Sequence, residues 1–364
     1  MRLLADVQAA RVRAGGALVD LGRGNPDVPP PPHVIEALVD AARERTATMH
    51  GYAPFSGLHE LRAAIAERYE SVYGVALDPE SEVAIVPGTK TALVEVVVCV
   101  AERGDTVLLP DPYYPDYPSG IALAGAAIGH LPLDPGAGYA PRFDGTARDR
   151  VAVVFLNYPS NPTAAAAPAG AFREAVRYAR DTGAVIVHDF AYGDLVFDGR
   201  APASFLAEPD AREVGVELYS MSKSFGMAGW RLGFVLGNAE VVRRIGELQD
   251  HARAGIFAPL QHAGIAALRG PQETVAERRE LYQRRRDVVF AAVGERCAPC
   301  EGTFYVWLRL PNGLTPARLL AEHDLVVAPG EGFGPSGAGW ARISLAIPDD
   351  QLELGLERLR AALA

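Results

Sequence analysis

The chain has 364 residues, is 49% hydrophobic and 22% charged, and carries a net charge of −10. Such a length suits two domains, or one large domain with a smaller satellite, and the composition provides a sizeable core and excludes global disorder. The acidic balance argues against nucleic acid as a partner, because phosphate neutralisation needs a basic surface.

In chain order, residues 1–16 scatter their charges and contain no apolar run of the kind that opens a secretory signal, so a cytoplasmic protein is expected. The segment from Asp27 to Pro32 is too proline-rich for regular structure and reads as a rigid strap. From about residue 50 to 250, strands and helices alternate. Glu82–Pro87 reads as a short strand ending at Gly88, followed by a helix over Thr89–Arg103 that Gly104 stops. The apolar run Val94–Val100 within it is too short to span a bilayer, and no membrane association is expected. Thr106–Pro110 and Val151–Leu156 read as buried strands, Ala169–Thr182 as a helix closed by Gly183, and Ala184–His188 as a strand. Val216–Tyr219 and Gly233–Leu236 are further short strands. This alternation predicts an α/β fold with a mostly parallel sheet and helices on both faces. Such sheets bind ligands beyond the carboxyl ends of their strands. A long helical stretch over roughly Pro259–Val293 then leads to a strand at Phe304–Leu308. A helix, a strand near Arg342–Ala346 and a last helix over Asp350–Leu363 follow, as in a smaller α+β domain. The expected division is 1–48 for the N-terminal arm with part of the small domain, 49–254 for the large domain and 255–364 for the small C-terminal domain. The arginine runs Arg278-Arg279 and Arg284–Arg286 fall in a polar helical pattern and read as a solvated face. Cys297 and Cys300 form a lone CxxC without the second pair a zinc site needs, so a structural or incidental role is expected and no metal.

Lys90 and Lys223 are the chain's two lysines; the other 33 of its 35 basic residues are arginines. A coding bias explains the scarcity, but not where the two lysines lie. Unlike arginine, lysine can lose its proton and attack a carbonyl carbon. Lys223 follows Ser220 and Ser222 and precedes Arg231 by eight residues. Hydroxyls and a guanidinium around a lysine suggest a bound phosphate. A phosphate beside an aldehyde-reactive amine implies pyridoxal 5'-phosphate held as a Schiff base. Asp189, after the strand Ala184–His188, suits the pyridine nitrogen, and Tyr192 suits the ring oxygen. Asn161, in the stiff turn Asn157–Thr163, would join Tyr192 there. Gly88, Thr89 and Lys90 open a helix after a strand, which makes an anion site, although the pattern is not that of a nucleotide-binding loop. Lys90 points either at the phosphate or at an acidic group of the substrate. In Asp111–Tyr117 an aromatic face could stack on the pyridine ring; Tyr114 is the choice, with Tyr113 and Tyr117 as packing residues.

With these residues in view, the chain resembles the fold-type I, pyridoxal-phosphate-dependent aminotransferases of class I/II, from Gly24 to the last helix. Ser220–Gly233 matches the family pattern SxSKxFxxxGWRxG, and the DxxY and NPxNPT-like motifs fall in the expected order. The resemblance implies that Lys223 forms the internal aldimine and later moves the proton from Cα. It implies that Ser220, Ser222 and Arg231 hold phosphate with Thr89, and that Arg342 grips the substrate's α-carboxylate. It further implies that Gly24 and Asn25 belong to a segment closing over substrate. Tyr52 matches a tyrosine that reaches the phosphate of the neighbouring subunit, which implies a homodimer with shared sites. Ala164 departs from the family, which usually has glycine there. Several stretches resemble the branch with aspartate, alanine and LL-diaminopimelate aminotransferases. The implied activity moves an amino group from an L-amino acid to a 2-oxo acid by ping-pong half-reactions. The same residues would also serve a C–S lyase or a cyclising biosynthetic enzyme. A non-catalytic, cofactor-binding regulator is disfavoured, because regulators resembling this family carry an N-terminal DNA-binding domain and the match here begins near residue 24.

Overall fold

The computed structural model describes residues 18–363; the signal-free reading of residues 1–16 lies outside them. Thirteen strands occur among the described residues. They are β1 (Val19–Asp20), β2 (Val83–Val86), β3 (Thr106–Asp111), β4 (Ala127–Asp134), β5 (Ala140–Pro141), β6 (Val151–Asn157) and β7 (Val185–Phe190), then β8 (Gly215–Ser220), β9 (Gly233–Gly237), β10 (Tyr305–Arg309), β11 (Leu325–Val326), β12 (Ala328–Pro329) and β13 (Trp340–Ser344). Eight form one sheet in the order β2-β9-β8-β7-β6-β3-β4-β5. The run β8-β7-β6-β3-β4 is parallel, while β9 is antiparallel to both its neighbours and β5 is antiparallel to β4. The fold is α/β.

Alternation along the central strands explains why helices cover both faces. Val107, Leu109, Val153, Phe155, Val187, Val216 and Leu218 join one buried cluster. Leu108, Val154, Leu156, Ile186 and Tyr219 join another on the opposite face. The helix Thr89–Val100 packs on the first face, and the helices His59–Tyr73 and Ala171–Thr182 on the second. The C-terminal part packs into a third buried cluster, built on the antiparallel sheet β10-β13-β12, the helix Asp349–Leu363 and the parallel pair β1-β11, and joined by Ala191, Tyr192, Leu195 and Phe197 from beyond β7. Its first strand thus comes from the other end of the chain.

Four expectations need correction. The helix from Thr89 ends at Val100 rather than Arg103. Asp105 accepts a hydrogen bond from the Glu102 amide at 2.8 Å, a local turn that competes with the helix. The stretch 259–293 is two helices, Ala258–Arg269 and Glu273–Val293. Pro271 supplies no amide there, and Gln272 Nε2 donates to the carbonyls of Ala267 (3.0 Å) and Gly270 (2.7 Å). Pro32 is not part of the strap but the first residue of the helix Pro32–Arg43, a position that needs no amide. The arginine runs are not a solvated face: Arg278, Arg285 and Arg286 are buried, and of the five only Arg284 is exposed. Arg286 pairs with Asp198 at 2.7 Å, and Arg285 with Asp27 and Asp349, both at 2.7 Å.

Cys297 and Cys300 are free thiols. Burial pushes Cys297 up to about 12 and Cys300 higher still, so neither is a ready thiolate. No helix among the described residues is long and apolar enough to cross a membrane.

Two buried polar networks fasten the second face of the sheet. Glu217, fully buried, accepts from Tyr69 Oη, Ser204 Oγ and the Phe205 amide, and His188 Nδ1 lies 2.7 Å from it. Asp194 pairs with Arg68 at 2.7 Å and accepts from Tyr73 (2.9 Å) and Tyr219 (2.6 Å). Burial alone would raise Asp194's pKa; Arg68 and the hydroxyls outweigh it and hold the value below the usual aspartate range. Asp194→Asn strands a buried guanidinium and should cost about 3–5 kcal/mol in urea unfolding at pH 7. A depressed pKa stabilises above the unfolded value, about 3.9, so the gap between wild type and variant should persist at neutral pH and close as pH falls below that value.

Candidate active site

The carboxyl ends of β2, β3, β6, β7 and β8 open on one cleft of about 700 Å³, part of it open to solvent. Eleven expected residues line it: Gly24, Thr89, Lys90, Tyr114, Asn161, Asp189, Tyr192, Ser220, Ser222, Lys223 and Arg231. They come from segments as far apart as 24 and 231, and the parallel sheet brings them together. Gly88 and Arg342 act one contact away. A Cβ on Gly88, whose φ is +81°, would lie 2.2 Å from the Arg231 guanidinium, so glycine there lets Arg231 close over the helix start. The amides of that helix's first turn have no partners within the helix. Asn25 and Tyr52 lie outside the cleft; Tyr52 is 86% exposed.

Lys223 is partly buried. Its Nζ lies 5.1 Å from the Phe304 ring centroid and 5.9 Å from that of Tyr192, and it donates to the Gly24 carbonyl at 3.4 Å. Burial, then the charges of Arg342 and Arg231, lower its pKa to about 8, against a smaller opposing effect of Asp189. Asp189 is buried and accepts from Tyr117 Oη at 3.0 Å and from the Ala191 amide at 3.3 Å. Burial nonetheless leaves its pKa raised. A cationic N–H facing this carboxyl would offset its burial and favour the carboxylate. Asn157 locks the neighbouring loops: its Nδ2 donates to the Asp189 carbonyl (2.8 Å) and its Oδ1 accepts from the Asn161 amide (2.7 Å). Ser220 Oγ accepts from the Ser222 amide, which starts the short turn that presents Lys223.

Arg342 is buried, and its Nε has no partner among the described residues. Nη1 donates to Asn161 Oδ1 at 2.8 Å, Nη2 to the Gly22 carbonyl at 3.2 Å, and the guanidinium lies 3.9 Å from the Tyr305 ring centroid. An orphaned N–H on a buried guanidinium fits an incoming carboxylate. Because Asn161 accepts through Oδ1, its Nδ2 remains a donor. Lys90 is paired with Asp116 at 2.7 Å on the cleft wall and is mostly exposed.

Sequence reasoning passed over Tyr305 and gave Tyr117 only a packing role. Tyr117 does stack on Phe155, at 4.6 Å, but its hydroxyl also serves Asp189. Tyr305 has no motif signal; it reaches the cleft because β10 pairs with β13, opposite Arg342 and its neighbours. Ala164 adopts φ +61°, the left-handed backbone suited to the glycine it replaces, so the turn is kept rather than rearranged.

A mostly parallel sheet with a lysine of lowered pKa, an opposed buried carboxylate and a clustered anion site defines a fold-type I enzyme suited to pyridoxal phosphate. The chain belongs to the class I and II aminotransferase family, whose profile, "Aminotransferase class I and II", matches residues 17–359. It is 39% identical over 372 residues to the LL-diaminopimelate aminotransferase of Moorella thermoacetica, covering 100% of this chain and 95% of that protein. It is also 39% identical over 359 residues to the L-glutamine–4-(methylsulfanyl)-2-oxobutanoate aminotransferase of Bacillus subtilis, covering 96% and 90%. Among solved structures, substrate-bound BacF from Bacillus subtilis superposes with a TM-score of 0.93 at 39% identity, over 99% of this chain and 95% of that one. The protein is an aminotransferase, and enzymes of its family depend on pyridoxal phosphate.

In the cofactor-free protein, pH-dependent acylation of Lys223 followed by mass spectrometry should show a midpoint near 8. Arg342→Gln, which removes a neighbouring positive charge, should move that midpoint upward; an unchanged midpoint would contradict the electrostatic account.

Proposed function

We propose that this cleft transfers the amino group of an L-amino acid to a 2-oxo acid, with Lys223 as the catalytic base. The observation that carries the reading is the buried Arg342 Nε, without a partner among the described residues, on a guanidinium that is bonded to the cleft residue Asn161 and that, together with burial, lowers the pKa of Lys223 to about 8. Asp189 would pair with the pyridine nitrogen of pyridoxal phosphate, Asn161 Nδ2 and Tyr192 would donate to its ring oxygen, and Tyr114 would lie against the ring. Burial holds the Tyr192 phenol well above its usual pKa, so it stays a donor. Thr89, Ser220, Ser222 and Arg231 would hold the phosphate, with the amides that Gly88 leaves open and with Lys90 beside them. The bound group supplies an electron sink for the pair released at the substrate's Cα.

The chain's own residues do the rest. Arg342 orients the α-carboxylate through a planar fork. Lys223 Nζ, increasingly neutral above pH 8, accepts the Cα proton. The Gly24 carbonyl holds that amine in place, and the strap around Gly24 and Asn25 excludes water. Tyr52, Phe55 and Phe257 are exposed aromatics, and the segments carrying them meet where His50 and Phe257 lie 6.2 Å apart. We assign this patch to a homodimer interface through which Tyr52 serves the neighbouring phosphate site.

An absorbance-monitored screen of amino acids on the loaded enzyme tests the reading. A donor should bleach the cofactor band stoichiometrically, and an added 2-oxo acid should restore it. Borohydride should fix the cofactor's mass on Lys223 and not on Lys90. Arg342→Gln should raise KM for the donor at least about tenfold, as expected for loss of a charged hydrogen-bond fork. Steady release of ammonia and an oxo acid from one substrate, with no dependence on an acceptor, would instead establish a lyase.

A further inference from the structure

The helix Glu273–Val293 carries a buried cation that the cleft does not use. Arg278 is 2% exposed. Among the described residues its hydrogen bonds run only to main-chain carbonyls, and its Nε has no partner. On one side Nη1 donates to Ser224, the residue after Lys223. On the other, Nη2 reaches Pro29 at 3.0 Å and Val28 at 3.5 Å. One turn further on, Tyr282 Oη donates to Asp27 Oδ1 at 3.0 Å, and two turns on Arg285 Nη1 donates to Asp27 Oδ2 at 2.7 Å. Residues 278, 282 and 285 share one helix face. That face therefore grips three consecutive residues of the strap, Asp27, Val28 and Pro29.

The grip is close. Gly226, at φ +69°, faces it, and a Cβ there would lie 2.5 Å from the Val28 carbonyl and 2.8 Å from Arg278 Nη2. The far end of the same short segment reaches the cleft. A Cβ on Gly24 would lie 2.2 Å from Tyr305 Oη, and the Gly24 and Gly22 carbonyls accept from Lys223 and Arg342. Pro26 stands between the two ends, with Pro29, Pro30 and Pro31 behind, so little backbone freedom separates the anchor from the cleft. We infer that Arg278 is a positioning residue for substrate binding: it ties the strap to the Lys223 turn and fixes Gly24 and Asn25 over the cleft. The inference deepens the proposed function and rests on it for the substrate.

Tryptic cleavage at Arg23–Gly24 and steady-state kinetics together test it. The Arg23 side chain is 71% exposed, so cutting there is limited by local opening of the strap. Arg278→Met removes the charge and both sets of hydrogen bonds. It should speed that cleavage about tenfold in the cofactor-free protein and raise KM for the donor by a similar factor, with kcat and cofactor affinity within about threefold. Tyr282→Phe deletes a single strap contact with little risk to folding, and should move both readouts in the same direction by about two- to threefold. Wild-type cleavage rates in both variants overturn the anchor. Faster cleavage with unchanged KM overturns its link to substrate, and a higher KM without faster cleavage overturns the route through the strap. The proteolysis needs no substrate, so failure of the anchor and failure of the transaminase reading are read separately.

Discussion

Three cations, Lys223, Arg231 and Arg342, converge on a cleft whose central acid is Asp189. In a chain with a net charge of −10, that local excess of positive charge is the constraint the site is arranged around. It lowers an amine's pKa without a neighbouring base, because burial and two guanidinium groups both disfavour its proton. It also leaves the cleft short of negative charge, so that a phosphate and a carboxylate would complete it. The other lysine does not add to the excess. Lys90 is matched by Asp116 at the wall, which confines the imbalance to the centre.

Such an imbalance survives only on a rigid frame. Parallel β3, β6, β7 and β8 end at one edge of the sheet, and each contributes a polar residue or loop just beyond its last apolar position. Asn157 and Asp189 are paired in register on adjacent strands, and the Asn157 side chain joins the two loops they start. Behind them the Glu217–His188 and Arg68–Asp194 networks fill the opposite face with satisfied polar groups. His188 Nε2 lies 3.0 Å from the Tyr158 carbonyl. The residue before Asp189 thus ties β7 to the loop carrying Asn161. Rigidity behind the cleft and charge within it are set by alternate residues of the same strands.

Most of this frame was legible in the sequence because short apolar strands, glycine stops and polar residues at strand ends are local signals. The strands at 83, 106, 151, 185, 215 and 233 lie within a residue or two of where the pattern sets them. Strand β4, next to the short edge strand β5, gave no such signal: Gly129 and Pro132 interrupt it, and of its residues only Leu131 is buried. Tyr305, Tyr117 and the buried arginines were illegible for a different reason. Their roles depend on which distant segment packs against them. A run such as Arg284–Arg286 looks solvated until Asp27, Asp349 and Asp198 are brought to it. The substrate arginine was legible only through family resemblance, because nothing local distinguishes Arg342 from the other arginines.

Ala164 shows how far the frame can override a local preference. Left-handed backbone costs a non-glycine residue about 1–2 kcal/mol. Here the Ala164 amide donates to the Ser160 carbonyl at 2.9 Å, and its own carbonyl accepts from Glu301 (2.9 Å) and Gly302 (3.1 Å). Releasing the strain would break three main-chain hydrogen bonds at a fully buried position, and unmade buried bonds cost about 1–3 kcal/mol each. The conformation is therefore retained with alanine in place. A methyl group is also the largest side chain with no rotamers to fit at that site. The segment 301–302 that holds it leads directly into β10 and Tyr305, so the turn carrying Asn161 and the strand lining the cleft are braced by the same bonds.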